Sequence, residues 1–290
     1  MAIEIVERPI PVISLKDFKL RRNDIKAQIV AAARQLGFFV LVDHPIGEDI
    51  IAEQITASET YFALDKQMLK NNYGFNREEK TGFESLNQRQ PSTGLIDQKE
   101  SLWLKTSSSY GWPSKEDAGD YSEKTEQFML KCHSLSMDIL DMLEEDLGFS
   151  QGTFRKAHNI NDRASLTILR SLHYMPKPAT NEEYWRCGSH ADMSLLSLLF
   201  QKEGQGGLQI CPGRDAITDW GMGDKWTEVP AKQYWSDDRY KSIWHQVAAK
   251  NEAEDARFSI AYFNNASSDT IIGGEGKYPA RTAHELIEDR

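Results

Sequence analysis

Past Gly148 the sequence stops repeating at a helical interval and breaks into short apolar runs, and this change restricts the fold more than any other feature. The runs are Ser165 to Tyr174, Ser194 to Phe200, Gly207 to Ile210, Ile243 to Val247 and Arg257 to Phe263, each bounded by Gly, Pro, Asn or Asp. Short runs of this kind with turn residues between them predict strands closed into a sandwich or barrel. Ahead of Gly148, the residues Phe128, Cys132, Leu135, Ile139 and Met142 recur at steps of four and three. That spacing predicts one helix from Ser122 to Leu147 with a single apolar stripe and Gly148 as its stop. Helices first and closely spaced strands later predict an α+β protein.

The N-terminal part continues this pattern. Ile10 to Leu15 reads as a short strand, and Asn23 as the N-cap of a helix bearing Ile25, Ile29, Ala32 and Leu36. Gly37 ends that helix, and Phe38 to Val42 is dense enough in aromatic and β-branched residues to predict a buried strand. A second helix is expected from Glu48 to Asn71, and loops with short strands from Tyr73 to Pro113. No repeat or low-complexity linker divides the chain, so residues 1–290 are expected to form a single domain. Its N-terminal helical region spans 1–120 and its strand-rich core 160–270.

Charge narrows the partners. With 34 Lys and Arg against 44 Asp and Glu, the net charge is −10, which disfavours nucleic acid and anionic membrane surfaces. The short basic run Lys16 to Arg22 reads as an exposed helix flank. Cys132, Cys187 and Cys211 form no CxxC pair, so neither a disulfide framework nor a zinc ribbon is expected. No apolar run approaches the roughly 20 residues that span a bilayer. A cytoplasmic protein is the expectation, as a monomer or weak homo-oligomer.

His190 and Asp192 are two apart at the start of a strand-like run, so their side chains share one face. An imidazole nitrogen and a carboxylate oxygen together suit a divalent metal. On its own the His-Ala-Asp tripeptide equally suits a hydrogen-bonded surface pair. His245, ending the strand-like Lys241-Ser242-Ile243-Trp244, is the best placed third ligand among the seven histidines. Two histidines and one carboxylate on one face leave positions open, the arrangement of non-haem Fe(II) oxygenases. No HExxH helix is present to suggest a zinc hydrolase. Twelve residues beyond His245, Arg257 and Ser259 again form an i, i+2 pair. A guanidinium fork and a hydroxyl on one face can grip a carboxylate, although an internal salt bridge would explain Arg257 as well.

Taken together, Ile10-Pro11-Val12-Ile13, Gly37-Phe38-Phe39 with His44, Leu169 to Tyr174, His190-Ala191-Asp192, Gly207 to Ile210, Tyr240-Lys241-Ser242 before His245, and Arg257-Phe258-Ser259 closely resemble the isopenicillin N synthase-like branch of the 2-oxoglutarate and Fe(II)-dependent oxygenases. The resemblance implies a double-stranded β-helix, or jelly roll, core flanked by N-terminal and central helices. It implies that His190, Asp192 and His245 ligate Fe(II), that Arg257 and Ser259 hold the distal carboxylate of 2-oxoglutarate, and that Tyr174 helps hold this co-substrate, with O2 as the second. A core tyrosine explains Tyr174 as well. The reaction implied is oxidative decarboxylation of 2-oxoglutarate coupled to hydroxylation, desaturation or oxidative cyclisation of a small molecule, in specialised metabolism. The carboxylate of Asp192 argues against halogenation, for which the family places a small residue there.

For substrate contacts the expectation is Arg186, which a surface arginine would explain as well, with Phe263 and Asn264, and Tyr110 and Trp112 from the variable loops. His44, His133 and His158 read as structural. One departure from the family pattern is notable: between Val229-Pro230 and Tyr240 the chain is short by an apolar strand, with Trp226 to Pro230 matching the strand before it. Two alternative readings follow. One is an oxidase like isopenicillin N synthase that makes no use of 2-oxoglutarate. The other is a catalytically impaired, shortened variant that acts only as a binding protein.

Overall fold

The computed structural model describes residues 10–86, 88, 96–176, 186–210, 236–237, 239–240, 244–248, 255–274 and 276–288. The predicted strand over Trp226 to Pro230, the shortened segment after it and Cys211 lie outside them, apart from Ser236, Asp237, Arg239 and Tyr240. Strand β10 (Arg257–Asn264) organises the larger sheet. It pairs antiparallel with β5 (Ile168–Tyr174) on one side and β7 (Leu196–Gln201) on the other. Strands β4 (Lys99–Leu104) and β3 (Gly82–Ser85) extend the order to β3-β4-β5-β10-β7. A second sheet, ordered β6-β9-β8, consists of β6 (Cys187–His190), β8 (Leu208–Ile210) and β9 (His245–Val247).

Period-two alternation divides the large sheet's residues between two environments. On β10, Phe258, Ile260, Tyr262 and Asn264 face the helices: Tyr262 Oη lies 3.1 Å from His133 Nδ1, and Asn264 donates to Ser136 Oγ at 2.7 Å. Arg257, Ser259, Ala261 and Phe263 take the opposite face. Residues of both sheets line a cavity of about 580 Å³.

The helices back the large sheet. Helix α5 (Tyr121–Leu147) buries Phe128, Cys132, Leu135, Ile139 and Met142, the stripe that the spacing predicts, and Gly148 closes it with φ 81°. Against α5 pack α1 (Phe18–Gln35), α2 (Glu48–Phe62) and α6 (Thr153–Ala157). The basic run ends on a flank of α1, where Arg22, together with Lys26 one turn further on, pairs with Glu145 of α5. The remaining elements are β1 (Val12–Ser14), β2 (Val40–Val42), α3 (Lys66–Tyr73), α4 (Lys115–Ala118), β11 (Ile271–Ile272), β12 (Arg281–Thr282) and α7 (Ala283–Glu288). No helix of the described residues is long and apolar enough to cross a membrane.

Three local expectations are corrected. Helix α1 starts before Asn23, because Asp17 turns the chain at φ 54° and its carbonyl accepts from Leu20 and Arg21. The expected helix from Glu48 to Asn71 is two, because the Asp65 side chain accepts from Met68 N at 2.8 Å and caps α3. Strand β2 is not buried: it pairs in parallel with β1, and Val40 and Val42 are exposed. Its apolar character instead serves the cavity, which Phe38, Phe39, Val40 and Leu41 line.

His158 is structural, as expected, fully buried with Nδ1 donating to Phe154 O at 2.9 Å. Burial pushes its pKa down from 6.5 to about 4. The unfolded chain therefore takes up this proton near pH 6.5, while the folded protein resists until about pH 4. Stability from this group is complete above pH 6.5 and falls by roughly 3 kcal/mol as the pH drops to 4. Denaturant titrations across this window should show that slope in the wild type and a flatter one in His158→Gln.

Candidate metal centre

The register of β6 against β9 places His190 directly opposite His245. Their ring centroids lie 4.3 Å apart at an interplanar angle of 51°. Asp192, two residues past the end of β6, brings Oδ1 to 3.8 Å from His190 Nε2 and 3.7 Å from His245 Nε2. These separations are too long for hydrogen bonds and suit groups that share an ion rather than a proton. One ligand atom from each of the three lies within 4.8 Å of the others, and theirs is the metal-competent cluster found among the described residues.

The surroundings orient each of the three side chains. His190 Nδ1 lies 2.8 Å from the carbonyl of Gly188; a carbonyl only accepts, so Nδ1 carries the proton and Nε2 keeps its lone pair. Burial pushes the His190 pKa below the ordinary histidine value, against the pull of the Asp192 carboxylate. A neutral imidazole is the form that binds metal. Ser197 Oγ donates to Asp192 Oδ2 at 2.7 Å, and Ser197 is itself 2.6 Å from Ser194 Oγ. Asp192 is thereby turned so that Oδ1 faces the two imidazoles. Phe38 packs edge-on against the His245 ring at 5.6 Å.

Arg257, 1% exposed, and Ser259 lie on the cavity face of β10. The Arg257 guanidinium donates to Ser259 Oγ at 3.2 Å, to Gly206 O at 3.1 Å and to Gln201 Oε1, all neutral acceptors. No carboxylate of the described residues comes within 4.0 Å of it, so the internal salt bridge is not formed among them. Burial works against its charge. Tyr174, paired directly with Arg257 across β5 and β10, places its ring 4.8 Å from the guanidinium carbon. A buried guanidinium held open by neutral groups fits a carboxylate ligand.

Of the expected substrate contacts, the structure brings Phe263 to the cavity wall. Arg186 precedes β6, is buried, and donates to Asp255 O at 2.7 Å, and it is not among the described residues that line the cavity. Asn264 faces α5 because it is one step out of phase with Phe263. Trp112 Nε1 donates to Lys105 O and Ser108 O, and Tyr110 Oη to Gly74 O, so both brace loops instead. His44, expected to be only structural, lines the cavity with Nδ1 buried and without a hydrogen-bond partner.

Arg170 was missed. It lines the cavity, 9% exposed, on the same face of β5 as Leu172 and Tyr174. It donates to Gln88 Oε1 and Ser101 Oγ, its guanidinium carbon lies 3.9 Å from the Trp103 ring centroid, and its buried Nε has no hydrogen-bond partner. The signal was available, since an arginine inside the apolar run Ile168 to Tyr174 poses the same question as Arg257.

Two family models match the chain: the N-terminal model of non-haem dioxygenases in morphine synthesis over residues 10–130, and the 2OG-Fe(II) oxygenase superfamily over residues 165–266. Among characterised relatives, gibberellin 2-beta-dioxygenase 2 of Arabidopsis thaliana is 27% identical over 282 residues, covering 88% of this chain and 76% of that protein. The 1-aminocyclopropane-1-carboxylate oxidase 5 of the same plant is 28% identical over 275 residues, covering 91% and 83%. The crystal structure of a full-length Neurospora crassa protein in complex with alpha-KG superimposes with a TM-score of 0.78 at 21% identity, covering 96% of this chain and 94% of that one. This likeness shows the double-stranded β-helix fold.

Loss of any one of the three clustered side chains should weaken metal binding. Anaerobic calorimetry is expected to show at least a hundredfold weaker Fe(II) binding for His190→Ala, Asp192→Ala and His245→Ala. Ser197→Ala, which releases only Oδ2, should weaken it by roughly tenfold.

Proposed function

The chain belongs to the 2OG-Fe(II) oxygenase superfamily, and from that premise we propose that His190, Asp192 and His245 hold the iron of a 2-oxoglutarate-dependent dioxygenase acting on a small acidic molecule. Fe(II), 2-oxoglutarate and O2 supply the oxidising chemistry, splitting 2-oxoglutarate into succinate and CO2 while the substrate is oxidised. Everything else falls to the chain's own side chains. Arg257 and Ser259 hold the distal carboxylate of 2-oxoglutarate, with Tyr174 beneath the guanidinium. Gln201 and the Gly206 carbonyl orient Arg257 before the co-substrate arrives. Ser197 keeps Asp192 turned toward the two imidazoles.

The observation that carries this reading is the buried Arg257, which no carboxylate of the described residues approaches within 4.0 Å, in the same cavity as the His-Asp-His cluster. Arg170 supports the substrate class. It is a second buried guanidinium on the cavity wall with donor capacity unused, and the relative named for 1-aminocyclopropane-1-carboxylate takes a small carboxylate. Leu172, Ala261, Phe263 and Phe38 supply apolar walls that exclude water from the reacting end. A small carboxylate with an apolar body, of the kind made in specialised metabolism, suits this lining.

The test is succinate release from Fe(II), 2-oxoglutarate and O2 over a panel of small carboxylates. One or more of the panel should stimulate it. Arg257→Met should raise the KM for 2-oxoglutarate by at least thirtyfold, the loss of about 2 kcal/mol expected for a desolvated charge pair. Arg170→Met should raise the KM of the stimulating acid tenfold or more and leave that of 2-oxoglutarate unchanged. Stimulation by neutral analogues alone would overturn the acidic-substrate reading. Turnover without 2-oxoglutarate would favour the oxidase reading.

A further inference from the structure

Asp97 and Lys99 form an ion pair of 2.6 Å with side chains 1% and 3% exposed, at the start of β4 in the large sheet. Neither stands in the metal centre, yet both reach across to the strand that carries its first ligand. Asp97 Oδ1 accepts from Gly188 N at 2.9 Å, and Lys99 Nζ lies 3.1 Å from Cys187 Sγ. The Gly188 peptide is available for this because the β6–β9 ladder is irregular there. Cys187 pairs with Val247 and His190 with His245, so three steps on β6 match two on β9. The extra residue turns Gly188 out of the ladder. The N–H of Gly188 goes to Asp97, and the carbonyl of the same residue, in the next peptide, receives Nδ1 of His190.

We infer that Asp97 and Lys99 are positioning residues for the metal centre: Asp97 holds the bulged Gly188 by its N–H so that the following Gly188 carbonyl fixes the ring and tautomer of His190, and Lys99 holds Asp97. This rests on His190 being a metal ligand, and adds a chain of contacts, Lys99 to Asp97 to Gly188 to His190, that ties the ligand strand to the opposite sheet. A buried charge pair would cost stability if it served nothing else. Partners that orient a ligating imidazole typically change metal affinity tenfold to a hundredfold when removed.

The experiment compares Asp97→Ala, Asp97→Asn and Glu100→Gln by anaerobic Fe(II) titration and by thermal melting of the metal-free protein. Glu100 is the control: a buried carboxylate next to Lys99 on β4 that faces the helices and pairs with His173 and Lys66. Asp97→Ala should weaken Fe(II) binding at least tenfold. Asp97→Asn should restore most of that affinity, because its amide oxygen still accepts from Gly188, although the ion pair is lost and melting falls. Glu100→Gln should lower melting and leave Fe(II) affinity unchanged. Wild-type affinity in Asp97→Ala, or equal weakening in Asp97→Asn and Glu100→Gln, would reduce the pair to a structural role and overturn the inference. If Asp97→Ala does not fold, the unaltered protein loaded with Co(II) decides: the shifted Nδ1–H resonance of His190 should exchange slowly with water, and rapid exchange overturns the inference. Failure of the wild type to bind Fe(II) or Co(II) would instead count against the proposed function.

Discussion

The direct cross-strand pairing of His190 with His245 is the constraint on which the site depends. Each histidine has its place only because β6 and β9 are in that register, and a one-residue slip would turn one imidazole to the other face of the sheet. Asp192 can then serve both rings because it follows β6 by two residues and Ser197 holds its outer oxygen. His245 completes the cluster, its Nε2 3.7 Å from the same carboxylate.

The second organising feature is electrostatic. The chain carries a net charge of −10, yet the described cavity lining holds Lys99, Arg170 and Arg257 against one carboxylate, Asp192. Lys99 is neutralised by Asp97, whereas the two arginines meet neutral acceptors. A cationic cavity within an acidic protein concentrates field lines on anions. It leaves demand for two of them beyond the metal, which the distal carboxylate of 2-oxoglutarate and an acidic substrate would meet. The ion pair of Lys99 is thus distinguished from its neighbours, and its contacts run to the ligand strand rather than into unused donor capacity.

Much of this was legible in the sequence because period and spacing report faces. The stripe on α5, the strand positions after Gly148 and the i, i+2 pairs at 190/192 and 257/259 all follow from one-dimensional repeats. What escaped depends on contacts distant in sequence. Arg186 and Arg170 are equally arginine on paper; only the start of β6 after residue 186 and the inward phase of residue 170 on β5 separate them. Asn264 fell on the wrong side by a single step of alternation. The exposed apolar residues of β2 resemble a buried strand because lining a cavity and filling a core demand the same side chains. Asp97 gave no sign at all, since its partner is a peptide N–H freed by a bulge.

The histidine-aspartate cluster and the Arg257 guanidinium are, on this account, two ends of one site that binds Fe(II) and 2-oxoglutarate together. Anaerobic titration of 2-oxoglutarate into the Fe(II)-loaded protein, followed by visible absorption, tests this most directly. A charge-transfer band should grow to saturation at one equivalent of each and be absent when either is omitted. Tight Fe(II) binding with no band at saturating 2-oxoglutarate would contradict the claim.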